Sequence, residues 1–477
     1  MRMTLGLFIL LLLLGCSSPK QQDPFKEVNK EIASGNFTRT TLLIDSLIAR
    51  GDLTGPQQRA ILFTKDSLYR VNLDFNKTKE EIIDWIEKNR LFTPSDSMLN
   101  SWEETKSLEF RVIDGEKRYF RNAAANLFRV DASARALSPA PPPSSDVPRD
   151  ALLIDAFNHK SSSDIKGKYF LPEKSMKARY TLTVDTDAVP EGERLRAWLP
   201  FPRMDAGRQT HVKLLDASQP DYILSEDKTV HTSVYMEQKA VKGEPTVFWI
   251  EFEFVSQGEW FDLTEIDTLP YDKNSASFQI YTAERQPHIQ FSQNIRQLTD
   301  SITRDAHTPV EILQAVYRYI APNYPWASAL EYSTIANIPE YVLENHKGDC
   351  GQVALLLITM LRYKGIPTRW QSGWMTHPGE VNLHDWAEAY FEGTGWVPVD
   401  ISFARGPAVP IQPDREFFMS GIDSYRLYVN SDFSGGFYPE KKYPRSETVD
   451  FQRGEVESDR WNLYFDQWEY KMDLIYR

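Results

Sequence analysis

The chain has 477 residues, 41% hydrophobic and 25% charged, an ordinary globular composition that excludes wholesale disorder and allows about three folding units. Its 67 acidic residues outnumber its 54 basic ones, for a net charge of −13. With no block of Lys and Arg to neutralise a run of phosphates, nucleic acid is not an expected partner.

The first element is an apolar run from Leu5 to Leu14 behind Arg2, about half the ~20 residues that cross a bilayer. It ends in Leu13-Leu14-Gly15-Cys16, which resembles the bacterial lipobox, where a small residue precedes a cysteine that is lipidated. Residues 1–16 are therefore expected to be a lipoprotein signal peptide, with Cys16 as the lipidation site. The mature protein is expected to be exported and held by lipid in the cell envelope. No later stretch is apolar enough for a transmembrane helix.

Residues 25–137 read as a helical domain. Thr78-Lys79-Glu80-Glu81 is a capping box leading into Ile82, Ile83 and Ile86, and Gly35 and Gly51 punctuate the earlier amphipathic runs. Residues 138–150, with Pro139, Pro141, Pro142 and Pro143, form a stiff spacer. Across 173–264 the period falls to two. Tyr180, Leu182 and Val184 alternate with polar residues, as do Phe248, Ile250, Phe252 and Phe254, which predicts a β-rich, sandwich-like domain.

Helical patterning returns in 286–405. Thr308-Pro309-Val310-Glu311 combines a capping box with proline at the first helical position. Residues 406–477 turn back to strand, with Trp468, Tyr470, Met472 and Leu474 alternating with polar residues as a strand with one buried face does.

Cys350 is the only cysteine besides Cys16. If Cys16 carries lipid, Cys350 has no disulfide partner within the chain, so it is either a small core residue or a nucleophile. It follows Asp349, a natural N-cap, and precedes the apolar run Val353 to Leu361, which Gly365-Ile366-Pro367 stops. That puts the thiol on a first helical turn, where free N–H groups and the helix dipole favour a thiolate and a lowered pKa.

Downstream, residues 383–391 and 395–401 read as two strands around a glycine-containing turn. If the loop is Glu392-Gly393-Thr394, Phe391 faces Gly395 and His384 faces Ser402. Asp400 then lies diagonally across from His384 on the same face, within reach of its imidazole. A four-residue loop would reverse that parity. His384 alone reads as a structural histidine and Asp400 alone as a strand-end residue. Together with a helix-mouth cysteine, in the order Cys, His, Asp, they form a candidate thiol triad.

Gly348 and Cys350, then His384, Trp386 and Glu388, then Gly395, Trp396 and Asp400 closely resemble the pattern of the transglutaminase-like superfamily between about residues 308 and 403. Gly365-Ile366-Pro367-Thr368-Arg369 is similar to that family's helix-to-strand connection. The resemblance implies a papain-like fold in which Cys350 attacks a carboxamide carbon, His384 shuttles the proton and Asp400 orients His384. It also implies an oxyanion hole made by the Cys350 N–H and an upstream side chain, for which Trp326 is the candidate.

The expected architecture is multidomain α+β. A helical N-terminal domain and a β-sandwich-like middle domain precede a transglutaminase-like core with a strand-rich C-terminal extension. The expected function is amide hydrolysis or acyl transfer through an acyl-enzyme, on a peptide, protein or cell-wall substrate. A protein-crosslinking transglutaminase and a non-catalytic surface scaffold are the alternatives. No cofactor is expected. No metal is expected either, since ligand spacing is absent and His346 and His377 read as loop histidines.

Overall fold

The computed structural model describes residues 25–138, 149–205, 207–404 and 414–477, which form a mixed α+β fold. The expected signal peptide with Cys16, most of the proline-rich spacer and the first residues of the expected C-terminal extension lie outside the described residues. No helix among the described residues is long and apolar enough to cross a membrane.

The chain divides into two compact units, 1–142 with Trp326–Lys347, and Pro143–Pro325 with Gly348–Arg477. In the first, helices at Phe37–Arg50, Gly55–Asp74 and Lys79–Arg90 carry the amphipathic pattern, and both Thr54 and Thr78 close capping boxes. Each such cap is worth about 1 kcal/mol. The helical reading of this stretch missed a hairpin, Phe110–Ile113 with Glu116–Tyr119. It also missed the segment Trp326–Lys347, with its helix Ile338–Asn345, which belongs to the first unit although its sequence lies within the second. In the second unit, the Gly348 N–H donates to Pro325 O at 3.3 Å, so the chain leaves and re-enters that unit at one point, two residues before Cys350.

In the second unit, Lys174–Val184, Gln209–Ala217, Thr246–Ser256 and Trp468–Tyr476 form one antiparallel sheet. A second sheet is built on Arg194–Pro200 and Ser233–Lys239, joined by Glu455–Glu457. Their inward residues, among them Tyr180, Trp198, Ile250 and Phe252, share one core. The strands after residue 414 are thus not a separate extension. Trp468–Tyr476 pairs along its whole length with Lys174–Val184, a long-range pairing that no local pattern announces.

The same unit holds the helix α1 (Cys350–Tyr363) and a four-stranded antiparallel sheet. Its strands are β1 (Thr368–His377), β2 (Glu380–Phe391), β3 (Gly395–Val399) and β4 (Arg426–Asn430), in the order β3-β2-β1-β4. Asp349 caps α1 reciprocally with Gln352, and Val353 to Leu361 are fully buried. Burial of so many large apolar side chains, each worth roughly 1.5–3 kcal/mol, fixes the helix and therefore the place of its first residue. Gly373 lets β1 and β4 approach closely, for a Cβ there would stand 2.0 Å from Leu427 O.

Candidate active site

The loop between β2 and β3 is Glu392-Gly393-Thr394, and Phe391 pairs with Gly395 as the parity argument requires. The ladder ends at Ala387 opposite Val399, so His384 has no strand partner in β3. The backbone N–H of Asp400 donates instead to Phe418 O at 2.8 Å. From there its carboxylate still reaches back, and His384 Nε2 lies 2.7 Å from Asp400 Oδ2. A carboxylate only accepts, so Nε2 carries the proton and Nδ1 is left as the basic nitrogen. The imidazole is buried and stacks on Phe403, with centroids 4.7 Å apart, and on Trp386 at 6.0 Å.

Burial lowers the pKa of His384, against the pull of Asp400, and so keeps the ring neutral and able to accept a proton. Burial alone would raise Asp400, but His384 and Arg426 together hold it below the usual carboxylate range. Sequence reading did not find Arg426. It lies on β4, fully buried, with Nη2 3.1 Å from Asp400 Oδ2 and 2.7 Å from Asp423 Oδ2. His377 is not a loop histidine: it ends β1, buried, with Nε2 3.2 Å from Asp423 Oδ1. His346 is the left-handed C-cap of Ile338–Asn345 in the first unit.

Cys350 is the first residue of α1, as the capping pattern predicts. Its Sγ hydrogen-bonds Asp385 Oδ2 at 3.2 Å. Neighbours on an extended strand point to opposite faces, so this partner stands on the face of β2 away from the His384 ring. The expected lowering of the thiol pKa is overturned. Burial pushes the thiol well above its usual value, and Asp385 and Asp349 beside it add to the rise. Trp326, the candidate oxyanion donor, belongs to the first unit, where the Arg129 guanidinium lies 4.6 Å above its ring.

Residues 296–401 match the family model described as the Transglutaminase-like superfamily. The chain is 24% identical over 156 residues to the uncharacterized protein YebA of Bacillus subtilis (strain 168). That match takes in 29% of this chain and spans only 21% of the relative. A solved structure of a proposed cysteine protease from Cytophaga hutchinsonii superposes with a TM-score of 0.41 at 15% identity, covering 65% of this chain and 92% of that one. The periplasmic domain of TgpA from Pseudomonas aeruginosa gives 0.26 at 17% identity, covering 63% and 83%.

Proposed function

We propose, for a chain whose residues 296–401 are a transglutaminase-like domain, that it is a thiol-dependent amide hydrolase with Cys350 as nucleophile, His384 as proton shuttle and Asp400 as its orienting partner. The observation that carries this reading is the 2.7 Å contact of His384 Nε2 with Asp400, which leaves Nδ1 unprotonated on a neutral ring.

In this mechanism the Cys350 side chain swings from Asp385 to the His384 side of β2, and Sγ attacks the carboxamide carbon as its proton passes to His384 Nδ1. The oxyanion that forms accepts from the Cys350 N–H, which α1 leaves unused at its first turn. His384 then protonates the departing amine, the C–N bond breaks, and a thioester remains on Cys350. Water, deprotonated by His384, attacks that carbon. The acid is released and the thiol regains its proton.

Water is favoured over an amine as the second nucleophile because an amine acceptor demands a dry, shaped cleft, and no sequence feature signals one. The test supplies a glutamine-containing protein with a labelled primary amine. Cys350-dependent release of ammonia or new chain ends in excess of label incorporation supports the hydrolase, and the reverse supports a crosslinker. A non-catalytic surface scaffold is the second reading, favoured by the thiol's bond to Asp385 and by its raised pKa. The substrate class, a peptide, protein or cell-wall amide, and the lipid anchor at Cys16 belong to this proposal. The anchor rests on the Leu13-Leu14-Gly15-Cys16 pattern.

A further inference from the structure

Beside the thiol, on the face of β2 away from His384, lies a carboxyl pair that the triad does not use. Asp385 and Asp450 are both buried and share one polar cluster: Ser372, opposite Asp385 on β1, donates its hydroxyl to Asp450, and Gln452, two residues from Asp450, donates to Asp385. Asp450 Oδ1 accepts from the Ser372 hydroxyl, from Asn430 Nδ2 at 2.9 Å and from the Phe451 N–H at 2.7 Å, the setting of an ionised oxygen. Asp450 Oδ2, in contrast, is buried without an amide, hydroxyl or cationic donor. Asp385 Oδ1 accepts from Gln452 Nε2 at 2.7 Å, and its Oδ2 faces Sγ. Burial and the charge of Asp450 push Asp385 up, so Asp385 holds a proton beside the Asp450 anion.

We propose that Asp385 and Asp450 are a proton-sharing pair that sets the charge beside the Cys350 thiol, with Asp385 as a positioning residue for the nucleophile and Asp450 as the anion that keeps Asp385 neutral. The inference rests on the reading of Cys350 as the nucleophile. While the proton is held, Asp385 presents a neutral acid to the sulfur. Once the proton is lost, a second negative charge presses on the sulfur and opposes ionisation. Burial and Asp450 both raise the Asp385 pKa, with Asp349 adding to the rise. The other charged groups facing the assembly are Asp349 beside Cys350 and Arg445, whose charge acts on Asp450.

The pair makes opposite demands on its two members, and that is what the experiment reads. The rate of Cys350 alkylation by iodoacetamide is followed against pH by peptide mapping, in wild type, Asp385→Asn and Asp450→Asn. Asp385→Asn removes the charge at every pH, so the profile moves to lower pH and the rate at a fixed pH near the midpoint rises about tenfold. Asp450→Asn removes the anion and offers an amide donor. Asp385 then ionises more readily, and the profile moves to higher pH by a similar amount. Should circular dichroism show that either variant does not fold, Asp385→Ser and Asp450→Ser take their place with the same signs expected. Profiles that overlay wild type, or that shift in one direction together, overturn the pair. Amide hydrolysis by His384→Ala, measured alongside, reports separately on the catalytic reading: loss of turnover with unshifted carboxyl variants leaves that reading standing and removes this one.

Discussion

Asp400 stands one residue beyond the last rung of the β2–β3 ladder, yet its Oδ2 lies 2.7 Å from His384 Nε2. The loop length sets the parity, the Phe418 carbonyl holds the Asp400 backbone, and Arg426 holds its carboxylate. In Asp400→Asn the amide is able to donate to the ring, which permits the wrong tautomer and removes the charge that stabilises an imidazolium. Turnover should fall on the order of 10³- to 10⁴-fold with the fold intact. Amide hydrolysis and circular dichroism on one preparation check this, and unchanged turnover removes Asp400 from the mechanism.

Acid should destabilise the second unit through its buried histidines. Burial pulls His288 down to about 4. In the unfolded chain the same group binds a proton below about 6.5. Between those values the unfolded state holds more protons, so stability is fully present above about pH 6.5 and is lost as pH falls toward 4. The loss amounts to roughly 3 kcal/mol for this group. Denaturant midpoints against pH for wild type and His288→Gln measure it: the variant should show a shallower acid slope, and equal slopes would contradict the assignment.

Gly373→Ala should destabilise the site sheet. The added methyl meets Leu427 O, a backbone atom that cannot turn aside, so β4 must move away from β1. The expected cost is roughly 1 to 3 kcal/mol in a denaturant titration, with a drop in turnover because β4 carries Arg426. A variant as stable as wild type would mean that the two strands are not held so closely.

Cys16→Ala should release the protein from membranes into the soluble fraction after cell lysis. The expectation rests on the Leu13-Leu14-Gly15-Cys16 pattern. Unchanged retention would remove the anchor.

The parts of the site legible in sequence were those fixed by local rules. Asp349 with Gln352 wrote the cap, the run to Leu361 wrote the buried helix, and period two with a three-residue loop wrote the His384–Asp400 meeting. What escaped depends on residues brought together from distant segments. Asp450 reaches Asp385, and Arg426 reaches Asp400, across long sequence separations, with no spacing to mark either. The thiol was misjudged for a related reason. A helix terminus is visible in sequence, whereas the burial and the facing carboxyl that raise the thiol are not. The last strand is legible as a strand, but its place beside Lys174–Val184 is a tertiary choice.

If Cys350 breaks amide bonds with His384 as its base, the cut ends are visible by mass spectrometry of cell-wall fragments and protein digests after incubation with wild type, Cys350→Ala and His384→Ala. New carboxyl ends at amide positions are expected with wild type and none with either variant. Fragment patterns that are the same for all three proteins would contradict that role of Cys350.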